Sequence, residues 1–117
     1  MSALETAKDI IKFAQEKKGK QIVQMDISEL SSFADYFVII SGDSNTQIKA
    51  IADHIIDGLH VQGIFTRNKE GMDNLNWVLL DYIDVVVHIF NNETREFYGL
   101  ERLWADADIE FISEEAE

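Results

Sequence analysis

The chain has 117 residues, of which 46% are hydrophobic, which is the size and composition of one globular domain. Its 10 basic side chains against 22 acidic ones give a formal charge of −12, which repels nucleic-acid phosphates and anionic membranes and favours a basic protein partner. Cysteine is absent, no apolar run has membrane-spanning length, and residues 1–12 lack the basic and apolar blocks of a signal peptide, so we expect a cytoplasmic protein without a membrane segment.

The first 41 residues predict a helix followed by two strands. Ser2 and Glu5 form the pattern of a capping box, and apolar residues then recur at helical spacing until Lys17. After Gly19, apolar residues that alternate with polar ones predict a half-buried strand; they are Val23, Met25 and Ile27. The next strand, Tyr36–Ser41, is apolar on both faces and therefore belongs in the interior of the sheet.

A short connection leads from this strand to the most strongly predicted helix. Gly42 allows a sharp turn, and Ser44 with Gln47 repeats the capping-box pattern. A glycine loop at a helix N-terminus can hold a phosphate, but a single glycine beside Asp43 favours an ordinary connection. The helix ends at Gly63, and its apolar residues share one face: Ile48, Ile51, Ala52, Ile55 and Leu59.

The densest run of large apolar residues in the chain predicts a β-hairpin. Three consecutive valines would crowd a helix at χ1, and two aspartates interrupt the run like a turn. We therefore predict two antiparallel strands, Trp77–Asp81 and Val85–Phe90, joined at Ile83 and Asp84. A short strand is expected upstream at residues 64–67, followed by a polar loop.

The predicted pairing, with Trp77 opposite Phe90, gives the hairpin two different faces. One face is apolar throughout and requires a cover of helices; it consists of Val78, Leu80, Tyr82, Val85, Val87 and Ile89. The other face adds an acid and an imidazole, a mixture that suits a surface in contact with a partner. We predict that this second face binds the partner through Trp77, Leu79, Asp81, Val86, His88 and Phe90.

The last part of the chain predicts one more helix and an acidic tail. Asn91 and Asn92 can cap this helix, which carries an apolar stripe of Phe97, Leu100, Leu103 and Trp104. Residues 105–117 contain six acids and no base, so we expect a frayed tail there and a domain of residues 1–104. The order of elements predicts the α/β class, with a single mixed sheet of about five strands and helices mainly on one face.

No catalytic or metal-binding constellation stands out in the sequence. Metal-dependent nucleotidyl transfer needs two acids that reach the same metal ions, but Asp81 and Asp84 lie three residues apart across a turn. His54 and His60 lack the i, i+4 spacing of helical metal ligands, and no hydroxyl is placed beside His88 for nucleophilic catalysis. We therefore predict a protein that is not an enzyme and needs no cofactor or metal.

A set of ordered motifs runs from the first helix to Trp104. It comprises residues 35–44, 50–52, 70–71, 77–82, 84–90 and 100–104, together with Gln47, Arg95 and Tyr98. In this combination the chain resembles the Iojap family, the ribosomal silencing factors. Similar proteins often have glycine where this chain has Ile83, and glycine adopts a positive φ more readily than a β-branched residue.

The resemblance implies a nucleotidyltransferase-like fold without the catalytic acids. It also implies a translation repressor that binds the large ribosomal subunit through ribosomal protein fourteen and sterically blocks joining of the small subunit, especially under starvation. A basic ribosomal protein suits the acidic charge, and nucleic acid is not expected as the main contact. The large apolar sheet face further predicts a homodimer of the free protein. Two alternatives remain: a nucleotidyltransferase-related enzyme, and a homodimerising interaction module unrelated to the ribosome.

Overall fold

The computed structural model describes residues 2–113, which form one six-stranded sheet and four helices within that range. The elements follow one another as α1 (Ala3–Glu16), β1 (Lys20–Asp26), β2 (Tyr36–Ser41), α2 (Asn45–Val61), β3 (Asn68–Glu70), β4 (Trp77–Asp81), β5 (Val85–Phe90), α3 (Asn92–Tyr98), α4 (Leu100–Leu103) and β6 (Asp108–Phe111). None of the helices in this part of the chain is long and apolar enough to cross a membrane.

The sheet is mixed, with the strand order β3-β4-β5-β2-β1-β6. β2 and β5 are parallel, because helix α2 carries the chain back across the sheet between them, and every other neighbouring pair is antiparallel. The predicted α/β class and single mixed sheet are confirmed. The two long helices lie together on one face, which agrees with the prediction of helices mainly on one side.

The face under α1 and α2 holds the larger core. Both helices start at the predicted serines, with the Ser2 and Ser44 hydroxyls accepting hydrogen bonds from the backbone N–H groups of Glu5 and Gln47. The capping box is complete only in α1, because the Gln47 side chain accepts from the Asp43 N–H and not from the Ser44 N–H. Their apolar stripes pack on the hairpin residues that were predicted to need cover, and all six of these are buried: Val78, Leu80, Tyr82, Val85, Val87 and Ile89. Sealing this face leaves only the opposite face of the hairpin for a partner.

The opposite face holds a smaller core beneath the C-terminal segment. Leu100 of α4 packs there against buried residues of β1, β2 and β5 and of the loop after β1: Val23, Met25, Ile27, Ala34, Ile39 and Phe90. The Trp104 ring meets the Phe37 ring edge to face, with the ring centroids 5.5 Å apart. The C-terminal segment therefore crosses β5, β2 and β1 before it continues into β6.

The hairpin of β4 and β5 has the predicted register, including Trp77 opposite Phe90. At its tip Ile83 has φ of 74°, and the Asp84 N–H donates to the Tyr82 carbonyl at 2.9 Å, the hydrogen-bond pattern of a γ-turn. The Asp81 carboxylate accepts a hydrogen bond from the Ile83 N–H at 2.8 Å. A β-branched residue is strained at this φ, so surrounding contacts hold the turn in place.

Part of the segment expected to fray is instead an edge strand. β6 pairs antiparallel with β1, from Val23 opposite Phe111 to Asp26 opposite Asp108. Ile109 packs on the smaller core, and this apolar contact offsets the high acidity of the segment. The prediction of a frayed tail is therefore wrong for residues 108–111, while residues 114–117 lie outside the described part of the chain. The division at residue 104 stays a prediction.

Two other strand predictions also need correction. The strand expected at residues 64–67 begins only at Asn68, and β3 is exposed along its whole length. β1, expected to be half-buried, is buried on both faces, because Ile22 packs in the larger core on one face and Val23 and Met25 pack in the smaller core on the other. A bulge between Lys20 and Val23, with Gln21 at φ of 49°, directs Ile22 into the larger core and Val23 into the smaller one.

Candidate partner-binding site

The six residues predicted to bind a partner do share one sheet face, but they are not equally accessible. Trp77, Leu79, Asp81 and Val86 are partly exposed. His88 and Phe90 are only 4% and 1% exposed, because the C-terminal segment covers β5. A surface role is therefore wrong for these two residues, which form part of the smaller core. For the other four, contact with a partner stays a prediction.

The buried imidazole of His88 fixes the orientation of the Trp77 indole. Trp77 Nε1–H donates to His88 Nδ1 at 3.0 Å, so the neutral imidazole carries its proton on Nε2. Burial lowers the pKa of His88 from its ordinary 6.5 to about 3, because water no longer solvates the cation. The Trp77 ring also stacks on Phe90, with centroids 5.0 Å apart and planes at 29°. These contacts hold the indole at the boundary between core and surface.

Asp81 stabilises the hairpin tip, as described above, and remains partly exposed. It does not join a second acid at a metal site, and residues 2–113 contain no group of three or more His, Cys, Asp or Glu side chains that could hold a metal ion. The loop before α2 is likewise closed by its own side chains, because Gln47 accepts from the Asp43 N–H and Ser44 accepts from the Gln47 N–H. Its geometry is that of an ordinary strand-to-helix connection.

A groove of about 690 Å³ lies beside Trp77, between β4 and α3. Trp77 and Leu79 line it from the sheet, and Phe97 and Tyr98 line it from α3. The Trp77 and Tyr98 ring centroids are 4.7 Å apart, and those of Tyr98 and Phe97 are 5.0 Å apart. Phe97 is 77% exposed although it is a large apolar residue, so this part of the surface is unusually aromatic.

The sequence placed Phe97 on the stripe of a single helix, and the structure shows why this prediction was wrong. Gly99, at φ of 54°, ends α3 in the left-handed conformation and begins α4 in a new direction. As a result Leu100 is buried, whereas Phe97 and Leu103 are 77% and 73% exposed. Phe97 is thus a groove residue that the periodicity assigned to a core, and Gly99 was the one local signal against a continuous helix.

Glycine and asparagine residues hold the groove between β4 and α3 in shape. Gly71 has φ of +83°, and a Cβ atom there would lie 1.9 Å from the Trp77 carbonyl oxygen, so only glycine fits this close approach to β4. The Asn91 side chain caps α3 by accepting from the Thr94 N–H at 2.8 Å and donates to Asn76 at 2.9 Å. The start of α3 is therefore tied to the start of β4.

Arg95 anchors α3, the helix that lines the groove, from its buried side. Its guanidinium donates to the Ser41 hydroxyl at 2.8 Å and to one Glu101 carboxylate oxygen at 3.1 and 2.7 Å. Arg95 and Ser41 are both buried, so this network links α3 and α4 to the end of β2 in a medium where unpaired charges are costly. The network positions the α3 side of the groove and does not face the groove itself.

Fold and site together define a mixed-sheet α/β domain whose most distinctive accessible feature is an aromatic groove on the less covered sheet face. The model of the RsfS family, described as "Ribosomal silencing factor during starvation", matches residues 1–117, and the chain belongs to this family. This confirms the resemblance to the Iojap proteins, and the family implies ribosome-associated regulation of translation.

Relatives match over most of the chain. The "Ribosomal silencing factor RsfS" of Bacillus subtilis is 42% identical, covering 87% of this chain and 90% of that protein. "Protein Iojap, chloroplastic" of Zea mays is 36% identical over 89% of this chain and 45% of its own length. A crystal structure of a protein from Chromobacterium violaceum superposes with a TM-score of 0.88 at 34% identity, covering 97% of this chain and 94% of that one. The sequence and structure comparisons thus point to the same family.

Proposed function

We propose that this protein represses translation in the cytoplasm by binding the large ribosomal subunit through ribosomal protein fourteen, which prevents the small subunit from joining. The observation that carries the proposal is the partly exposed strip of β4, with Trp77 and Leu79, beside an aromatic groove on an otherwise covered face. Membership of the ribosomal silencing factor family supports the ribosome as the place where the protein acts.

The proposed mechanism needs binding and bulk, and no bond is made or broken. The described chain measures 35 × 34 × 32 Å along its principal axes, so a protein of this size on the intersubunit face would keep the two subunits apart. The formal charge of −12 would speed encounter with a basic ribosomal protein, while the apolar strip would supply most of the affinity after contact.

The proposal includes a homodimer of the free protein that uses the same strip. Large partly exposed apolar residues next to one another favour self-association when no partner is present. Because both complexes would cover Leu79, dimer formation and ribosome binding would exclude each other. Light scattering should then show a mass that rises with protein concentration and falls when Leu79 is replaced by Glu; a constant monomer mass would contradict the dimer.

Cosedimentation with separated ribosomal subunits tests the main proposal. Wild-type protein should sediment with large subunits only, and Leu79→Glu should abolish this because it places a charge in the apolar contact. The matched control is Val61→Glu, the same charge change at an 85% exposed valine on α2 behind the sheet, which should sediment like wild type. The same variants should respectively lose and keep the inhibition of subunit joining on a sucrose gradient.

Asp81→Asn removes the negative charge and keeps the hydrogen bond at the hairpin tip, because the Asn side chain still has an oxygen acceptor for the Ile83 N–H. The variant should fold normally, bind large subunits more weakly and show a smaller salt dependence of binding. A folded Leu79→Glu protein, verified by circular dichroism, that still cosediments like wild type would place the interface elsewhere.

A further inference from the structure

The groove beside Trp77 combines aromatic rings with uncompensated negative charge. Its lining includes the rings of Trp77, Tyr98 and Phe97 and the carboxylates of Glu70 and Glu93, and it includes no Lys, Arg or His. Glu70 lies opposite Leu79 in the β3–β4 pair, so both side chains project from the same sheet face. Glu93 lies in the first turn of α3.

The two carboxylates are not already paired with cations. None of the four ion pairs between residues 2 and 113 includes Glu70 or Glu93. Glu70 accepts a hydrogen bond from the neutral Asn68 amide at 2.9 Å, which leaves its charge uncompensated. A cation that enters the groove would therefore gain two carboxylates without displacing an existing partner.

Among the cationic side chains of proteins, arginine fits this combination best. Its guanidinium is planar and stacks on aromatic rings, and its five N–H donors allow paired hydrogen bonds to carboxylates. Lysine can use the charge but not the flat stacking surface or the fork of donors. The groove volume of about 690 Å³ exceeds that of one side chain, so it also has room for the adjoining backbone of a loop or an extended segment.

We propose that the groove receives an arginine side chain of the protein's ribosomal partner, with the guanidinium against the rings of Trp77 and Tyr98 and hydrogen-bonded to Glu70 and Glu93. This rests on the proposed function, since it specifies the chemistry by which the same face recognises its partner. The arginine provides specificity, and Leu79 of the apolar strip provides the surrounding dry contact.

The first test measures binding of full-length protein to large ribosomal subunits. The double variant Glu70→Gln, Glu93→Gln and the single variant Tyr98→Leu should each weaken binding by about tenfold or more. The matched control is Asp57→Asn, Glu110→Gln, which removes the same charge from exposed positions on α2 and β6. Equal weakening in this control would attribute the effect to overall charge and overturn the arginine subsite.

The second test does not depend on the ribosome. N-acetyl-arginine amide is titrated into the ¹⁵N-labelled full chain, and the indole N–H signal of Trp77 is assigned by its retention in Trp104→Phe, because the protein has two tryptophans. We expect the arginine compound to shift the Trp77 indole signal saturably, and we expect this shift to be lost in the Glu70→Gln, Glu93→Gln protein. Nα-acetyl-lysine amide, whose side chain keeps its charge, should shift the signal less, and the neutral isostere Nα-acetyl-citrulline amide should not shift it. Equal shifts with arginine and citrulline, or with arginine and lysine, would refute the proposal.

The two tests separate failure of this inference from failure of the proposed function. If the groove variants bind large subunits like wild type while Leu79→Glu does not, the arginine subsite is wrong and ribosome binding through this face stands. If arginine amide binds at Trp77 but wild-type protein does not sediment with large subunits, the subsite stands and the ribosomal role is wrong.

Discussion

The buried imidazole of His88 should make the stability of this protein depend on pH between 7 and 5. In the folded chain burial lowers the pKa of His88 to about 3, whereas in the unfolded chain the imidazole titrates near its ordinary 6.5. Between these values the unfolded state binds more protons than the folded state, so the free energy of unfolding falls as the pH falls. As far as His88 is concerned, the free energy of unfolding has its full value above pH 6.5 and decreases progressively as the pH falls towards 3.

The expected size of the effect follows from these two pKa values. Lowering the pH from 7 to 5 protonates the unfolded imidazole almost completely and leaves His88 neutral in the folded chain, which costs roughly 2 kcal/mol of stability by proton linkage. A loss of this size is a large fraction of the stability of a small domain. The lowered pKa of Asp26, caused by hydrogen bonds from Ser28, acts only below pH 4 and does not affect this window.

Urea unfolding at pH 5, 6 and 7, followed by circular dichroism, measures the effect. His88→Gln can still accept from the Trp77 indole but does not titrate, so from pH 7 to 5 it should lose about 2 kcal/mol less than wild type. His60→Gln is the control, because His60 is exposed on α2, and it should follow the wild-type dependence. Parallel pH dependences for wild type and His88→Gln, or an NMR titration of His88 with a midpoint near 6.5, would refute the argument.

Three further predictions concern backbone strain and the buried ion network, and all are measured by urea unfolding. Ile83→Gly should stabilise the chain by about 0.5–1 kcal/mol, because relief of the positive φ outweighs the entropy of an added glycine; a destabilised variant would contradict the strain. Gly71→Ala should cost clearly more than Gly63→Ala, since both have positive φ but only the first methyl would clash, with the Trp77 carbonyl; equal losses would exclude the clash. Arg95→Met should cost about 3 kcal/mol, and much less in a background that already carries Glu101→Gln; additive losses would show that the two side chains are uncoupled.

Local patterns in the sequence were enough to predict the larger core and the hairpin. Helical spacing in α1 and α2 defines one apolar face on each helix. The turn placed at Ile83 and Asp84 sets the register of β4 and β5, because a shift of one residue would exchange their two faces. The turn at Ile83 was the exception to local preference. There the register of two long apolar strands overrides the poor fit of a β-branched residue to a positive φ.

The accessibility of the second face could not be predicted from the same patterns. Alternation correctly grouped Trp77, Leu79, Asp81, Val86, His88 and Phe90, but it contains no information on what a distant segment will cover. The C-terminal segment covers this face because the chain changes direction at Gly99 and then pairs with β1 as β6. The acidic composition of β6 is typical of a solvated tail. The error over His88 and Phe90 therefore arose from long-range packing and not from the assignment of faces.

Strand order explains why the open strip of this face lies on β4. The C-terminal segment leaves β5 through α3 and α4, crosses β2 and β1, and ends beside β1 as β6, so it moves away from β4. On the other side of β4 only the three residues of β3 follow, and they are exposed. Trp77 and Leu79 consequently remain at the border of the covered region, where the core fixes the Trp77 ring through His88 and Phe90. A rigid aromatic side chain beside exposed apolar and acidic groups is the arrangement expected at the centre of a specific protein contact, because little conformational entropy is lost when a partner binds.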